Sequence, residues 1–280
     1  MATESIGCGF CLRERMRQHF GLELKPEMAR ARGKDLRQVD LADLSHHEVQ
    51  NLLQVATGGR STFFRDWFAL KLAERLIGNL LVQGRKTINI WSAGCSTGQE
   101  PYALAMIVHR LGWQDQAQIN ILGTDVRKAA IDQALSGKGY LPPNNSSFAY
   151  TIPKEYAEYF LFGPDGVELH PEIMKMVTFR MASILDTAQL PAKGKMDLVF
   201  ACNMLNHFDR EHVIIAKQNL NHSISPRGIL ICQNADEKEY VLGELGTFRD
   251  RELEQPFEAQ LNGRLTILGN SQYIVVYQKP

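Results

Sequence analysis

TINIWSAGCSTGQEPY, residues Thr87 to Tyr102, is the stretch whose reading decides the fold. Ile88 to Trp91 suit a short buried strand. Small residues follow, from Ser92 to Gly98, and then Glu100, Pro101 and the apolar series Ala103, Met106, Ile107 open a helix. In an open α/β sheet, a strand, a glycine turn and a helix N-terminus present backbone N–H groups to a nucleotide-like ligand. Gly94 and Gly98 would let a ligand approach where a Cβ would collide. Pro101 fits the first helical turn, where its missing N–H costs nothing. The competing reading is an ordinary βα turn whose glycines serve geometry alone, because a glycine-rich turn is a weak signal by itself. Gly94 and Gly98 stand four apart, so the G-x-G-x-x-G fingerprint is absent, and a nicotinamide dehydrogenase ranks last.

Downstream the chain alternates strands and helices, the pattern of a mostly parallel sheet. Gln118 to Asp125 reads as the second strand. Asp125, at its carboxyl end, is placed to bind ribose hydroxyls or to cap a helix over 126–135. A loop containing Pro142 to Asn145 follows, then a short helix Pro153 to Phe160. Tyr159–Phe162 and Val167–His170 form a candidate hairpin. Met176–Ala182 and Met196–Ala201 read as strands three and four, with a loop from Cys202 to Asp209. A helix over Glu211–Leu220 carries His212, read as a surface histidine. Ser225 to Gly228 is a turn into strand five, Ile229–Gln233, and Arg264–Leu268 with Tyr273–Tyr277 reads as a closing antiparallel pair.

Upstream, residues 1–80 read as a small helical domain and linker, and 81–280 as the sheet domain, with an insertion at about 150–176. Lys25 to Arg37 carries a basic stripe, either a solvated face or a docking surface for an acidic partner. Ser61 is a reasonable N-cap for a helix with apolar residues at Phe64, Phe68, Leu72, Leu76 and Leu80. Phe63 and Phe64 read as core, whereas Arg65 is less simply explained. The formal net charge of +0 gives no global reason to expect a nucleic-acid partner. Neither a bilayer-spanning apolar run nor a secretory signal is visible, so a cytoplasmic protein without membrane insertion is expected. Cys8 and Cys11 form one C-x-x-C pair, and the odd, scattered set of five cysteines argues against a disulfide framework or a metal site.

WSAGCSTGQEPYALAM resembles the glycine segment of the CheR-type chemotaxis receptor methyltransferases, which use S-adenosylmethionine. STFFRDWF, GTDVRKAAIDQALSGKGY, DLVFACNMLNHFD and SPRGILICQNADE resemble further family segments in the family's order, over roughly residues 20 to 240. The resemblance implies a Rossmann-like methyltransferase sheet behind a helical N-terminal domain, with a small inserted β-subdomain. It implies cofactor contacts, for S-adenosylmethionine and its product S-adenosylhomocysteine, at Gly59, Ser61, Arg65, Gly94, Glu100, Asp125, Ser183, Ile184, Asn203 and Met204. Glu100 falls near the methionyl or adenosyl part and Asp125 on the ribose. The chain departs from the family at Gly59, where the family has asparagine, at Ser61, where it has threonine, and at Ser183, where it has asparagine.

Arg65 is implied as a catalytic residue, and His207 stands where the family has a tyrosine in the loop after the fourth strand. The expected reaction is methyl transfer to a glutamate carboxylate of a chemoreceptor cytoplasmic domain, docked by Lys25–Arg37. Such a carboxylate, with a reference pKa of about 4.3, is ionised at neutral pH and needs no strong base. An arginine fork can orient it through two parallel hydrogen bonds. His207 could replace the tyrosine hydroxyl as a donor, with activity then varying between about pH 5 and 8. The departures leave open a cofactor-binding regulator, or a methyltransferase with a different acceptor.

Overall fold

A computed structural model describes residues 16–18, 20, 22, 49–50, 52–53, 56–57, 61–140, 152–163, 166–234, 265–269 and 272–279. Cys8, Cys11, the basic stretch Lys25–Arg37, Gly59 and the loop Pro142–Asn145 lie outside these residues.

The apolar strands alternate with helices in the order α1 (Trp67–Val82), β1 (Thr87–Ala93), α2 (Gln99–Arg110), β2 (Gln118–Asp125), α3 (Lys128–Ser136), β3 (Phe160–Gly163), β4 (Gly166–Leu169), α4 (Pro171–Met174), β5 (Val177–Met181), β6 (Met196–Cys202), α5 (Arg210–Ser223), β7 (Ile224–Asn234), β8 (Leu265–Gly269) and β9 (Gln272–Gln278). Seven strands form one sheet in the order β5-β2-β1-β6-β7-β9-β8. β5, β2, β1, β6 and β7 are parallel, and β9 runs antiparallel to both of its neighbours, β7 and β8. This is a Rossmann-like, mostly parallel sheet with a closing antiparallel pair, as the sequence reading expects. β3 and β4 form the separate hairpin, with Phe160 opposite Leu169.

Side-chain period two sorts the strand residues into two cores. Ile88, Ile90, Leu198, Phe200, Ile229 and Ile231 join one cluster with α1 and α2. Trp91, Ala93, Val199, Ala201, Leu230 and Cys232 join the other with α5. Burial on both faces explains why these strands read as apolar runs rather than strict alternation. α1 packs Leu70, Ala73 and Ile77 into the same core as β1. A third cluster joins Met16, Leu22 and Leu53 to Val126 and Phe208, so these three residues lie over the carboxyl ends of the strands.

Several boundaries differ from the sequence reading, each for a tertiary reason. β1 continues through Ser92 and Ala93, because Ser92 pairs with Gly123 and Phe200, and Ala93 with Thr124. Ser61 does not cap a helix: α1 begins at Trp67 behind Asp66, and Phe68 is 53% exposed instead of continuing the buried ladder. Phe64 lies before the helix with φ 57°, its ring packed on Tyr156 at 4.6 Å. α3 starts at Lys128, and Asp125 does not cap it. The expected helix at Pro153–Phe160 is a 3-10 stretch, Lys154–Tyr159. His212 is buried, because Asp209 both caps α5 and bonds the His212 ring at 2.8 Å. Ser225–Gly228 bulges within β7: Met196 pairs with Ile224, yet Leu198 already pairs with Ile229. Among the described residues, no helix is long and apolar enough to cross a membrane.

Candidate functional site

The strand order reverses between β1 and β6. A chain that goes out to β2 and β5 and returns to β6 leaves a crevice at that switch point, outside the carboxyl ends of the strands. The register brings the site residues to one edge. Ala93 lies beside Thr124, and Asp125 beside Met181, so Gly94, Asp125 and Ala182 emerge together, with Asn203 following β6. The backbone seals the join, since Gly94 N–H donates to the Thr124 carbonyl at 2.8 Å and Ala182 N–H to the Asp125 carbonyl at 3.0 Å.

A cavity of about 410 Å³ opens there. It is lined by Ser61, Arg65, Gly94, Glu100, Asp125, Ser183, Ile184, Asn203, Met204 and His207, each of them singled out in the sequence. The volume lies in the range of small-molecule sites. The lining divides by chemistry. Ile184 and Met204 are buried apolar side chains, with Leu22 and Phe208 among the other walls. Leu22 and Phe208 also form an isolated antiparallel bridge, and Arg17 pairs with Asp209 at 3.4 Å.

The two glycines of the turn do different work. A Cβ on Gly94 would lie 2.8 Å from Met204 Cγ, so this glycine lets the β6 loop close against the turn. Gly98 does not line the cavity. It adopts φ 91°, and a Cβ there would lie 3.0 Å from Ala134 and from Phe179. Its role is helix-to-sheet packing, not the ligand approach expected from the sequence.

Strained backbone gathers at the site. Among the described residues, the non-glycine positions with positive φ are Phe64, Ser96, Asn203 and Arg227. Ser96 and Asn203 line the cavity and Phe64 directly precedes Arg65, which lines it too; such conformations persist where the surrounding structure holds them. Phe63 packs edge-on against Tyr140 and Phe160 at 5.0 and 4.9 Å. With both phenylalanines anchored, the left-handed turn at Phe64 carries Arg65 to the cavity wall.

Asp125 is held more tightly than a ribose-binding acid needs. Its Oδ1 accepts from Arg127 N–H at 2.9 Å and Arg127 Nε at 3.0 Å. Its Oδ2 accepts from Ser96 N–H at 2.9 Å and Arg127 Nη2 at 3.2 Å. Four donors match the roughly four lone-pair directions of a carboxylate. A ligand hydroxyl donating to Asp125 must therefore share an acceptor direction or shift Arg127, which is only 4% exposed.

Glu100 sits on the first turn of α2, and Ser92 Oγ donates to its Oε1 at 2.7 Å. Burial drives its carboxyl up from 4.5 to about 7. The nearby Asp66 carboxylate adds to that rise, while hydrogen bonds with Ser92 and Cys202 and the charge of Arg65 oppose it. Ligand atoms of Asp66, Glu100 and Cys202 lie within 4.8 Å of one another. Burial pushes the Cys202 thiol well above its ordinary range, as it does that of Cys95, and holds Cys232 up to about 12. These thiols stay protonated and are poor nucleophiles and metal ligands.

The residues fit an adenosyl sulfonium donor. Apolar walls face acidic groups, and the buried Ser96 Oγ has no hydrogen-bond partner among the described residues, an acceptor or donor waiting for a polar ligand. Sequence reasoning missed Ser96, Asp66 and Arg127. Arg127 carried a legible signal, standing two residues beyond the strand-end acid. Asp66 carried none, because an acid before a helix reads as a cap.

Residues 60–241 match the family model described as CheR methyltransferase, SAM binding domain. The chain is 29% identical over 187 residues to "Chemotaxis protein methyltransferase 1" of Pseudomonas aeruginosa, covering 64% of this chain and 66% of that protein. It is 27% identical over 208 residues to "Chemotaxis protein methyltransferase" of Listeria monocytogenes, covering 71% and 75%. It is also 27% identical over 241 residues to "Probable biofilm formation methyltransferase WspC" of Pseudomonas putida, covering 79% and 54%. The aligned stretch thus spans just under two thirds of the first relative's length and about half of the third's. Among solved structures, rRNA methyltransferase aviRa from Streptomyces viridochromogenes is 14% identical, with 79% of this chain and 86% of that chain covered and a TM-score of 0.43.

Proposed function

The chain belongs to the CheR methyltransferase family and carries its S-adenosylmethionine-binding domain, and from that premise we propose that it forms glutamate methyl esters on the cytoplasmic domain of a chemoreceptor. It works in the cytoplasm, without nucleic acid and without membrane insertion, and the basic stretch Lys25–Arg37 serves to dock the receptor.

One observation carries the reading: Arg65, from the segment before the sheet, borders the same cavity as Gly94, Glu100 and Asp125. S-adenosylmethionine, when bound, supplies a methyl group whose bond to the sulfonium breaks as a bond to a carboxylate oxygen forms. Both charges vanish in that step and no proton moves, so a general base has no task. What remains is positioning and exclusion of water. In this reading Asp125 holds the ribose, Ile184 and Met204 flank the adenine, and Glu100 faces the methionyl end. Ser61 borders the cavity as well, and Ser183 and Asn203 supply polar groups at the rim. Arg65 orients the acceptor carboxylate, and His207 offers it a further hydrogen bond. Leu22 and Phe208 support the dry wall that such a transfer needs.

The test is transfer of labelled methyl from S-adenosylmethionine to a receptor cytoplasmic domain, scored as base-labile counts. Arg65→Lys, which loses the planar fork, is expected to lower the rate about 100-fold while S-adenosylhomocysteine affinity stays within about threefold. A wild-type protein that binds S-adenosylhomocysteine yet transfers nothing would replace the enzyme by a cofactor-binding regulator. Equal rates for wild type and Arg65→Lys would remove the arginine's role.

A further inference from the structure

Asp66 stands at the N-cap of α1, where an aspartate ordinarily accepts from the helix's own N–H groups. Its side chain makes no such bond. The carboxylate is turned into the protein instead, and its side chain is only 8% exposed. A charge so buried requires partners to offset its desolvation. Those partners belong to the site. Arg65 Nε donates to Asp66 Oδ2 at 3.4 Å, and Asn203 Nδ2 donates to the same oxygen at 3.4 Å. Arg65 arrives from the segment before the sheet and Asn203 from the loop after β6, at a residue with φ 55°. One oxygen therefore ties the two halves of the cavity rim together.

We propose that Asp66 is the positioning residue of the acceptor side, fixing the guanidinium of Arg65 relative to Asn203 so that an acceptor carboxylate meets Arg65 along an edge other than Nε. The inference rests on the methyl-transfer reading and adds to it which group aims the arginine. A carboxylate beside Arg65 offsets part of the guanidinium's charge and so weakens its pull on an anionic acceptor. That cost is sensible where orientation matters more than attraction, as in a transfer whose acceptor is already ionised.

The experiment compares Asp66→Ala and Asp66→Asn with wild type in the labelled-methyl assay, together with S-adenosylhomocysteine calorimetry and the NMR resonance of the Arg65 Nε–H. Asp66→Ala is expected to lower kcat about 100-fold, with S-adenosylhomocysteine affinity within about threefold of wild type. Asp66→Asn keeps an acceptor oxygen in the same place and is expected to recover to within about tenfold of wild type. The Nε–H resonance should be protected from exchange in wild type, lose protection in Asp66→Ala, and keep part of it in Asp66→Asn. A kcat for Asp66→Ala within threefold of wild type overturns the proposal. So does an Asp66→Asn variant as slow as Asp66→Ala, or a parallel fall of kcat and cofactor affinity, which marks a packing role. If wild type transfers no methyl at all, the methyl-transfer reading fails, and the Nε–H resonance then decides on Asp66 alone: unchanged protection in Asp66→Ala overturns it.

Discussion

Replacing Glu100 by glutamine removes the group whose protonation is most displaced by its surroundings, and the consequence for stability can be worked out. Burial lifts the folded carboxyl from 4.5 to about 7, against the hydrogen bonds from Ser92 and Cys202. The folded protein therefore holds this proton more firmly than the unfolded chain does. A raised carboxyl contributes stability that is fully present below about pH 4.5 and is lost as pH rises through about 7. Between pH 5 and pH 8 the loss amounts to roughly 2–3 kcal/mol. Glutamine resembles the protonated acid and keeps an oxygen to accept from Ser92, so Glu100→Gln is spared that loss. For a chain of this size the difference corresponds to about 5 °C in Tm. Thermal unfolding of the cofactor-free protein and of Glu100→Gln, at pH 5 and pH 8, is the assay. The Tm of the variant should rise relative to wild type by about 5 °C across that interval. A difference constant to within about 1 °C would refute the reasoning, since Glu100 would then titrate alike in both states.

Asp125→Asn breaks a buried ion pair and turns an amide toward donors, so denaturant unfolding should show a loss of about 3–5 kcal/mol, and a loss below about 1 kcal/mol would contradict the four-donor arrangement. Gly98→Ala must adopt φ 91° and press on Ala134 and Phe179, so it should cost about 2 kcal/mol while S-adenosylhomocysteine affinity moves less than about threefold. Gly94→Ala pushes Met204, a cavity wall, and should instead weaken S-adenosylhomocysteine binding by at least about tenfold. Equal effects of the two alanines on affinity would contradict the division of labour between the glycines.

The parallel sheet was legible because its strands are local apolar runs: β2 spans Gln118–Asp125 as read, and the closing pair lies within a residue or two of its expected place. What escaped depends on partners distant in sequence. Phe64 takes a left-handed turn because Tyr156 packs on its ring, and this delays α1 to Trp67 although Ser61 looks like a cap. Gly98 looked like a ligand glycine, but Phe179 and Ala134, the atoms that forbid its Cβ, come from β5 and α3. His212 looked like a surface residue until Asp209 claimed its ring. The list of site residues came from a family resemblance, with composition and spacing naming only Gly94, Gly98 and Asp125. Neither source indicated that Asp66 would join Arg65 to Asn203.

The most direct test is a crystal structure of the protein with S-adenosylhomocysteine, read as the distance from the ligand sulfur to the Arg65 guanidinium. A carboxylate that hydrogen-bonds Arg65 and stands in near-attack contact with the methyl group requires a separation of about 8 Å or less. The sulfur should fall within that span, with the ribose at Asp125 and the adenine between Ile184 and Met204. A ligand bound outside the β1–β6 crevice, or a sulfur well beyond reach of Arg65, would contradict the account.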